Sequence, residues 1–332
     1  MIRTNKNIKI IFKYVIAPLL ALWLFYSLYQ QIKAQPNLHQ SIALIKKAPY
    51  GAEAWKFWLI LILALVNWGL EARKWQLLVK PLQKMSFFRA YKSVLSGLAL
   101  SLNTPNRIGE YGGRILYIKD GSRIKAISLS IAGSISQLIV TLVLGCGGLL
   151  HWLYFQREFP GPLMGIPVFW IKILLFISST VAIILILFFF RLSWLIKLIE
   201  KIPAVGKFVK YINVLEEFTA KLLLRLLSLS FFRYLVFVIQ YILMLQVLHV
   251  EISWIYSFWI ISILFLVLAI VPSIAIADLG IRGKFSTELL SIYSVNTVGI
   301  LGTTFGIWFI NLFIPAIAGS LFILGIKIFK NK

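Results

Sequence analysis

Three charges and three glycines fall within eleven residues at Thr104-Pro105-Asn106-Arg107-Ile108-Gly109-Glu110-Tyr111-Gly112-Gly113-Arg114, between apolar flanks. On a helix, Arg107, Glu110 and Arg114 stand at i, i+3 and i+7, which is one face. Glu110 can then pair with either arginine and leave the other guanidinium free. A free guanidinium suits bidentate capture of a phosphate. A second stretch, Pro272-Ser273-Ile274-Ala275-Ile276-Ala277-Asp278-Leu279-Gly280-Ile281-Arg282, shares the pattern acid-x-Gly-x-Arg with the first. In both, a proline precedes the acid and a long apolar run follows the arginine. Arg107, Glu110, Arg114, Asp278 and Arg282 are therefore the candidate binding residues, for an anionic headgroup. Lys284 and Glu288 stand just beyond the second motif as accessory candidates. Arg73 and Lys74, which with Glu71 close an apolar run before Trp75, read first as a cytoplasmic-edge anchor and second as accessory residues. The plainer alternative for the first motif is a cytoplasmic loop held by a salt bridge. It does not explain why the charges follow a proline break between apolar segments.

The elements that must position these groups are membrane helices. Of 332 residues, 60% are hydrophobic and 14% charged, with mean hydropathy +0.89. Soluble domains run near 45–50% apolar and about 25% charged, so a soluble globular protein is excluded. Disorder is excluded by the same apolar content. The chain carries 34 Lys and Arg against 11 Asp and Glu, a formal charge of +23. These basic residues lie between long apolar runs, where anionic lipid meets them first, and no nucleic-acid module is legible. The single cysteine, Cys146, allows no internal disulfide, and His39, His151 and His249 have no paired spacing.

A bilayer crossing takes about 20 apolar residues. By that measure spans fall near 12–30, 57–75, 128–155, 167–190, 232–250, 253–271 and 298–326. The first follows Arg3, Lys6, Lys9 and Lys13 with no small-residue cleavage site after it, and reads as a retained helix. Two regions fit the measure badly. Residues 87–118 carry Arg89 and Lys92 and break at Asn103-Thr104-Pro105-Asn106; residues 258–295 break at Pro272. Broken backbone at membrane depth is tolerated only when packed in protein or lining a wet cavity, so both are candidate re-entrant hairpins. Interrupted segments at matching places in two halves point to an inverted repeat with its site at the repeat interface. The expected fold is thus an all-α polytopic membrane protein forming one domain over 1–332, with about seven spans and two re-entrant hairpins.

Basic residues crowd 73–125 and 191–233, while 156–166 and 250–253 carry almost no charge beyond Arg157, Glu158 and Glu251. The positive-inside rule then puts both basic segments and both termini in the cytoplasm of a plasma (inner) membrane protein. Lysines at 33, 46, 47 and 56 run against that assignment. Within 194–228, the stretch 207–226 is amphipathic at helical period. Phe208, Tyr211, Ile212, Leu215, Phe218, Leu222 and Leu226 share one side, and Lys207, Lys210, Lys221 and Arg225 the other. It is either a helix lying in the membrane interface or a connector resting on its neighbours.

The sequence contains no P-loop, HExxH or G-x-S-x-G pattern, so the familiar routes to ATP-driven pumping, zinc proteolysis and serine hydrolysis are missing. Carboxylates are scarce, with Glu216-Glu217 the one close pair. No cofactor or metal is expected, and a transporter is favoured over an enzyme.

Pro105-Asn106-Arg107-Ile108-Gly109-Glu110 followed by Arg114 resembles the P-x-R-x-G-E-x-x-R motif of the lysylphosphatidylglycerol synthase transmembrane-region family, the flippase part of the multiple peptide resistance factor. Arg73-Lys74-Trp75 is similar to the basic-aromatic close of that family's second helix. Pro272 with Leu279-Gly280-Ile281-Arg282 resembles its later P…G-L-G-x-R-E-G element, with Gly283 in place of the Glu and Ala277-Asp278 in place of two glycines. The likeness runs from about residue 10 to 326. It implies a helical bundle with re-entrant hairpins that moves an anionic or aminoacylated lipid between leaflets. No synthase domain follows Lys332, so lipid aminoacylation is not expected of this chain. A separate lipid-modifying enzyme and a second copy of the chain are candidate partners. Two other readings stay open: a membrane enzyme acting on a lipid-linked sugar or phosphate, and a non-catalytic membrane partner that binds lipid through 207–226.

Overall fold

The computed structural model describes residues 26, 38–51, 53–102, 104, 107–155, 163–191, 209–271 and 278–326. The expected first span, the linkers at 156–162 and 192–208, both proline breaks at 105 and 272, and the basic C-terminus lie outside them.

The regular elements among the described residues are helices, with one isolated bridge between Leu163 and Ile166. In order the chain forms α1 (Leu38–Lys47), α2 (Ala54–Leu78), α3 (Phe87–Ser101), α4 (Gly109–Ile115), α5 (Arg123–Phe155), α6 (Val168–Phe190), α7 (Val209–Ile212), α8 (Ala220–Val247), α9 (Trp254–Ile270), α10 (Asp278–Leu290), α11 (Thr297–Trp308) and α12 (Ile314–Leu324). A π-helical turn over Phe309–Phe313 joins α11 to α12, making one continuous span over Thr297–Leu324. Among the described residues, that span, α2, α5, α6 and α8 are long and apolar enough to cross a membrane. The 17-residue α9 is apolar but shorter. Six of the seven expected spans thus coincide with helices, and the seventh lies outside the described residues.

Two boundaries differ from expectation. The span expected at 232–250 begins at Ala220, where the Thr219 hydroxyl accepts a hydrogen bond from the Leu222 amide as the N-cap. The stretch 207–226 is therefore not one amphipathic helix. It divides into α7, a 3-10 turn over Asn213–Glu217, an extended Phe218, and the first turns of α8. Val214, Leu215 and Phe218 are buried in the core beside α5, while Glu217, Lys221 and Arg225 stay exposed. The apolar side of the pattern is real, but a cap residue at Thr219 splits the helix that would have carried it.

α3, with 15 residues, and α10, with 13, are about 22 and 20 Å long, short of the ~30 Å hydrocarbon core. α3 and α4 form a tight hairpin with glycine on both sides of the contact. A Cβ on Gly113 would lie 2.3 Å from the Ser96 carbonyl oxygen, and one on Gly97 would lie 2.8 Å from that of Glu110. Neither backbone can yield without separating the two helices. Gly113→Ala is accordingly expected to lower stability by about 1–3 kcal/mol, in the range of overpacked interiors, measured by thermal unfolding in detergent. An unchanged midpoint would show that the hairpin opens freely.

The helix order contains its own symmetry. α2, α3, α4 and α5 have 25, 15, 7 and 33 residues. α8, α9, α10 and the α11–α12 span have 28, 17, 13 and 28. The strongest packing between the two runs is α2 on α8, α3 on α12 and α9 on α5, so α3 and α9 each lean on the long last helix of the other run. α2 and α8 run antiparallel, since Ile60 meets Gln240 while Lys74 meets Ser230. An antiparallel first pair is what an inverted repeat would require.

Candidate functional site

On α2, Asn67, Glu71 and Lys74 stand at i, i+4 and i+7 and all face inward, while Arg73 faces out and bonds Gln76. Glu71 is the hub of an ion-pair network. Its carboxylate lies 2.9 Å from Lys74 Nζ, 2.7 Å from an Arg114 guanidinium nitrogen and 3.2 Å from Arg233 on α8. Arg114 also pairs with Glu110, one turn earlier on α4. The Lys74 ammonium further donates to the Gly133 carbonyl and the Ser230 hydroxyl, both at 3.3 Å. The side chains of Glu71, Lys74 and Arg114 are 2–4% exposed. Helix α2 runs on to Leu78, so Glu71 and Lys74 do not form the edge anchor that the sequence suggested. Their charges survive burial because each meets its opposite inside the bundle.

Arg233 joins this network to a cavity. Its Nε donates to Asn67 Oδ1 at 2.9 Å, and its guanidinium reaches Gln137 Oε1 at 3.4 Å. The same group sits over the rings of Trp68 and Phe237, at 5.3 and 5.7 Å. Asn67 also donates to Asn311 in the π-helical turn, at 3.2 Å. The wider turn swings Asn311 and Leu312 inward, a use common for π-bulges. Asn67, Gln137, Arg233 and Asn311 each lie near the middle of a long helix, so four spans contribute one polar group apiece at the same depth.

The cavity beside them has a volume of about 540 Å³. Arg107, Arg233 and Arg282 line it with Gln137, Thr141 and Asn311, and Phe237, Phe265 and Leu268 add apolar surface to the same lining. Asp278, 6% exposed, holds Arg282 at 2.9 Å across one turn of α10. Arg107 is positioned differently from the helical face expected for it. It precedes α4 in a left-handed conformation, φ 59°, which is costly for a residue with a Cβ. Thr104 fixes that turn: its carbonyl accepts from the Arg107 amide at 3.1 Å and its hydroxyl from the Gly109 amide at 2.7 Å.

The candidates thus separate. Arg107 and Arg282 lie on the cavity wall, with Asp278 behind Arg282. Glu110 and Arg114 pair with each other, and Arg114 sits in the Glu71 network instead of on the wall. Lys74 is in that network too. Arg73, Lys284 and Glu288 stand apart, Lys284 and Glu288 as a surface pair 3.9 Å apart. Arg233 was missed as a site residue because it follows a basic linker and reads as part of it. Its placement after Phe231-Phe232, a charge inside an apolar run, was the available signal. Asn67, Gln137 and Asn311 carried a similar one.

The fold and this interior define a multi-pass helical membrane protein with a charged cavity at mid-height. Residues 10–319 match the family described as lysylphosphatidylglycerol synthase TM region. The chain belongs to that family. No curated protein matches it.

Proposed function

We propose that this protein moves a lipid with an anionic headgroup from one leaflet to the other. The observation that carries the reading is a charge excess around a cavity at the middle of the bundle. Lys74, Arg107, Arg114, Arg233 and Arg282 are five cations; Glu71, Glu110 and Asp278 are three carboxylates; 5 − 3 leaves +2. Charge at membrane depth costs on the order of 2.5–3.5 kcal/mol per residue on insertion scales and belongs to substrate paths. An anionic headgroup neutralises the excess, and the apolar part of the lining suits the first part of an acyl chain. The inverted halves supply a way to expose one site to each leaflet in turn, because they can rock about the α2–α8 contact.

The orientation follows from the same distribution. Lys80, Lys84, Arg123 and Lys125 flank the C-terminal end of α2 and the N-terminal end of α5, while Lys221 and Arg225 open α8. This basic end belongs in the cytoplasm of a plasma (inner) membrane protein, with α3–α4 and α9–α10 as hairpins that turn back within the bilayer.

Purified protein in proteoliposomes tests the reading with fluorescent phosphatidate, phosphatidylglycerol and phosphatidylcholine. Anionic lipid is expected to cross faster than in protein-free vesicles, with Arg107→Gln slowing it at least tenfold and Lys80→Gln, in an exposed loop, leaving it unchanged. Rates equal to those of protein-free vesicles, or an Arg107→Gln variant as fast as the parent, would overturn it.

A further inference from the structure

We infer that the headgroup taken by this cavity carries two negative charges on phosphate, as in a phosphomonoester or a diphosphate, and that Arg107 and Arg233 hold it. This rests on the anionic-lipid reading above and adds the valence of the ligand. The charges around the cavity balance group by group, with two left over. Glu71 and Glu110 are matched by Lys74 and Arg114, two against two, all joined at ion-pair distance. Asp278 is matched by Arg282. What remains is Arg107, with no carboxylate at ion-pair distance among the described residues, and Arg233, the third cation on a carboxylate already served by two.

Arg233 is the member of that trio most easily lent to a ligand. Its contact with Glu71 is the longest, 3.2 Å against 2.9 and 2.7 Å. Its side chain is 16% exposed where those of Lys74 and Arg114 are 2% and 3%. It lines the cavity, and they do not. When its guanidinium turns to a ligand, Glu71 keeps two partners. The other carboxylates among the described residues do not restore the balance: Glu53, Asp120 and Glu288 pair with Lys56, Arg123 and Lys284, and Glu216, Glu217 and Glu251 are exposed. The stretches next in sequence to Arg107 and Asp278 that lie outside the described residues, 103, 105, 106 and 272–277, contain no ionisable side chain.

Two unmatched guanidiniums on one cavity wall select for total charge as well as for shape. A phosphomonoester carries about −1.5 to −2 near neutral pH and offers three acceptor oxygens, enough for two bidentate arginines. A phosphodiester leaves one guanidinium unmatched. A low local dielectric enlarges the difference between the two.

Binding to detergent-purified protein tests this with three probes: dihexanoyl phosphatidate, dihexanoyl phosphatidylglycerol and inorganic phosphate. The phosphatidate is expected to bind at least tenfold tighter than the phosphatidylglycerol. Arg107→Gln and Arg233→Gln should each collapse most of that ratio, while Arg233→Lys should keep it. A packing role for Arg233 would change stability but not the ratio. Arg107→Gln, which breaks no ion pair, serves if Arg233→Gln fails to fold. Equal affinity for the two lipids overturns the inference and leaves the lipid reading intact. Inorganic phosphate binding as tightly as phosphatidate supports the dianion and removes the lipid reading instead.

Discussion

Glu71→Ala is expected to destabilise the folded protein by about 3–5 kcal/mol, the range seen when one partner of a buried ion pair is removed. The substitution leaves Lys74, Arg114 and Arg233 around a space that held their shared carboxylate, with Glu110 as the remaining counter-charge. Lys74 and Arg114 are almost fully buried, so water cannot take over the role of Glu71 without opening the bundle. The network also ties α2 to α4 and to α8, far apart in the chain. The loss should therefore appear as a lower cooperative midpoint rather than as local fraying. Thermal unfolding in detergent checks it, with Asp120→Ala, in an exposed pair with Arg123, as a comparison expected to change nothing measurable. A Glu71→Ala midpoint equal to that of the parent would mean that these cations are stabilised by something other than Glu71.

The second large effect concerns the cavity, and it distinguishes charge from contact. Arg282→Gln removes one positive charge from the wall and strands Asp278, which is 6% exposed and otherwise held by that arginine at 2.9 Å. The excess falls from +2 to +1, and Asp278, behind the wall, loses its ion-pair partner. Translocation in proteoliposomes is expected to drop to within about twofold of the protein-free rate. Replacing both partners, Asp278→Asn with Arg282→Gln, restores the excess to +2 and removes the stranded charge. Truncating both members of a buried pair commonly costs less than truncating one. The double variant should recover a substantial part of transport, with the shortfall due to the lost guanidinium donors. A double variant as inactive as Arg282→Gln would show that Arg282 acts by direct contact with the ligand and that the balance of charges is secondary.

These predictions depend unequally on what the sequence carried. The apolar runs at 57–75, 128–155, 167–190 and 253–271 became helices with nearly the same limits, because bilayer thickness fixes span length and every backbone polar group in lipid must bond within its own helix. The break before Arg107, the acid-x-Gly-x-Arg motif in each half and the family resemblance were legible for similar local reasons. So was the pairing of Glu110 with one of its flanking arginines, which follows from helical spacing.

What the sequence could not decide is which charge faces which. Arg114 looked like a binding residue and Lys74 like an edge anchor, yet both neutralise Glu71 inside the bundle. That outcome needs α2, α4 and α8 to meet, and partners 43 and 162 positions apart in the chain leave no local trace. Arg107 departed from its expected helical face because Thr104 bonds the turn before α4 and holds Arg107 left-handed. Thr219 likewise ended an amphipathic pattern that periodicity alone would have continued. Periodicity and hydropathy describe each helix against an averaged solvent, so they determine spans and motifs. The surplus of Arg107 and Arg233 is a property of the assembled interior, where the worth of a charge depends on what the neighbouring helices bring within about 4 Å.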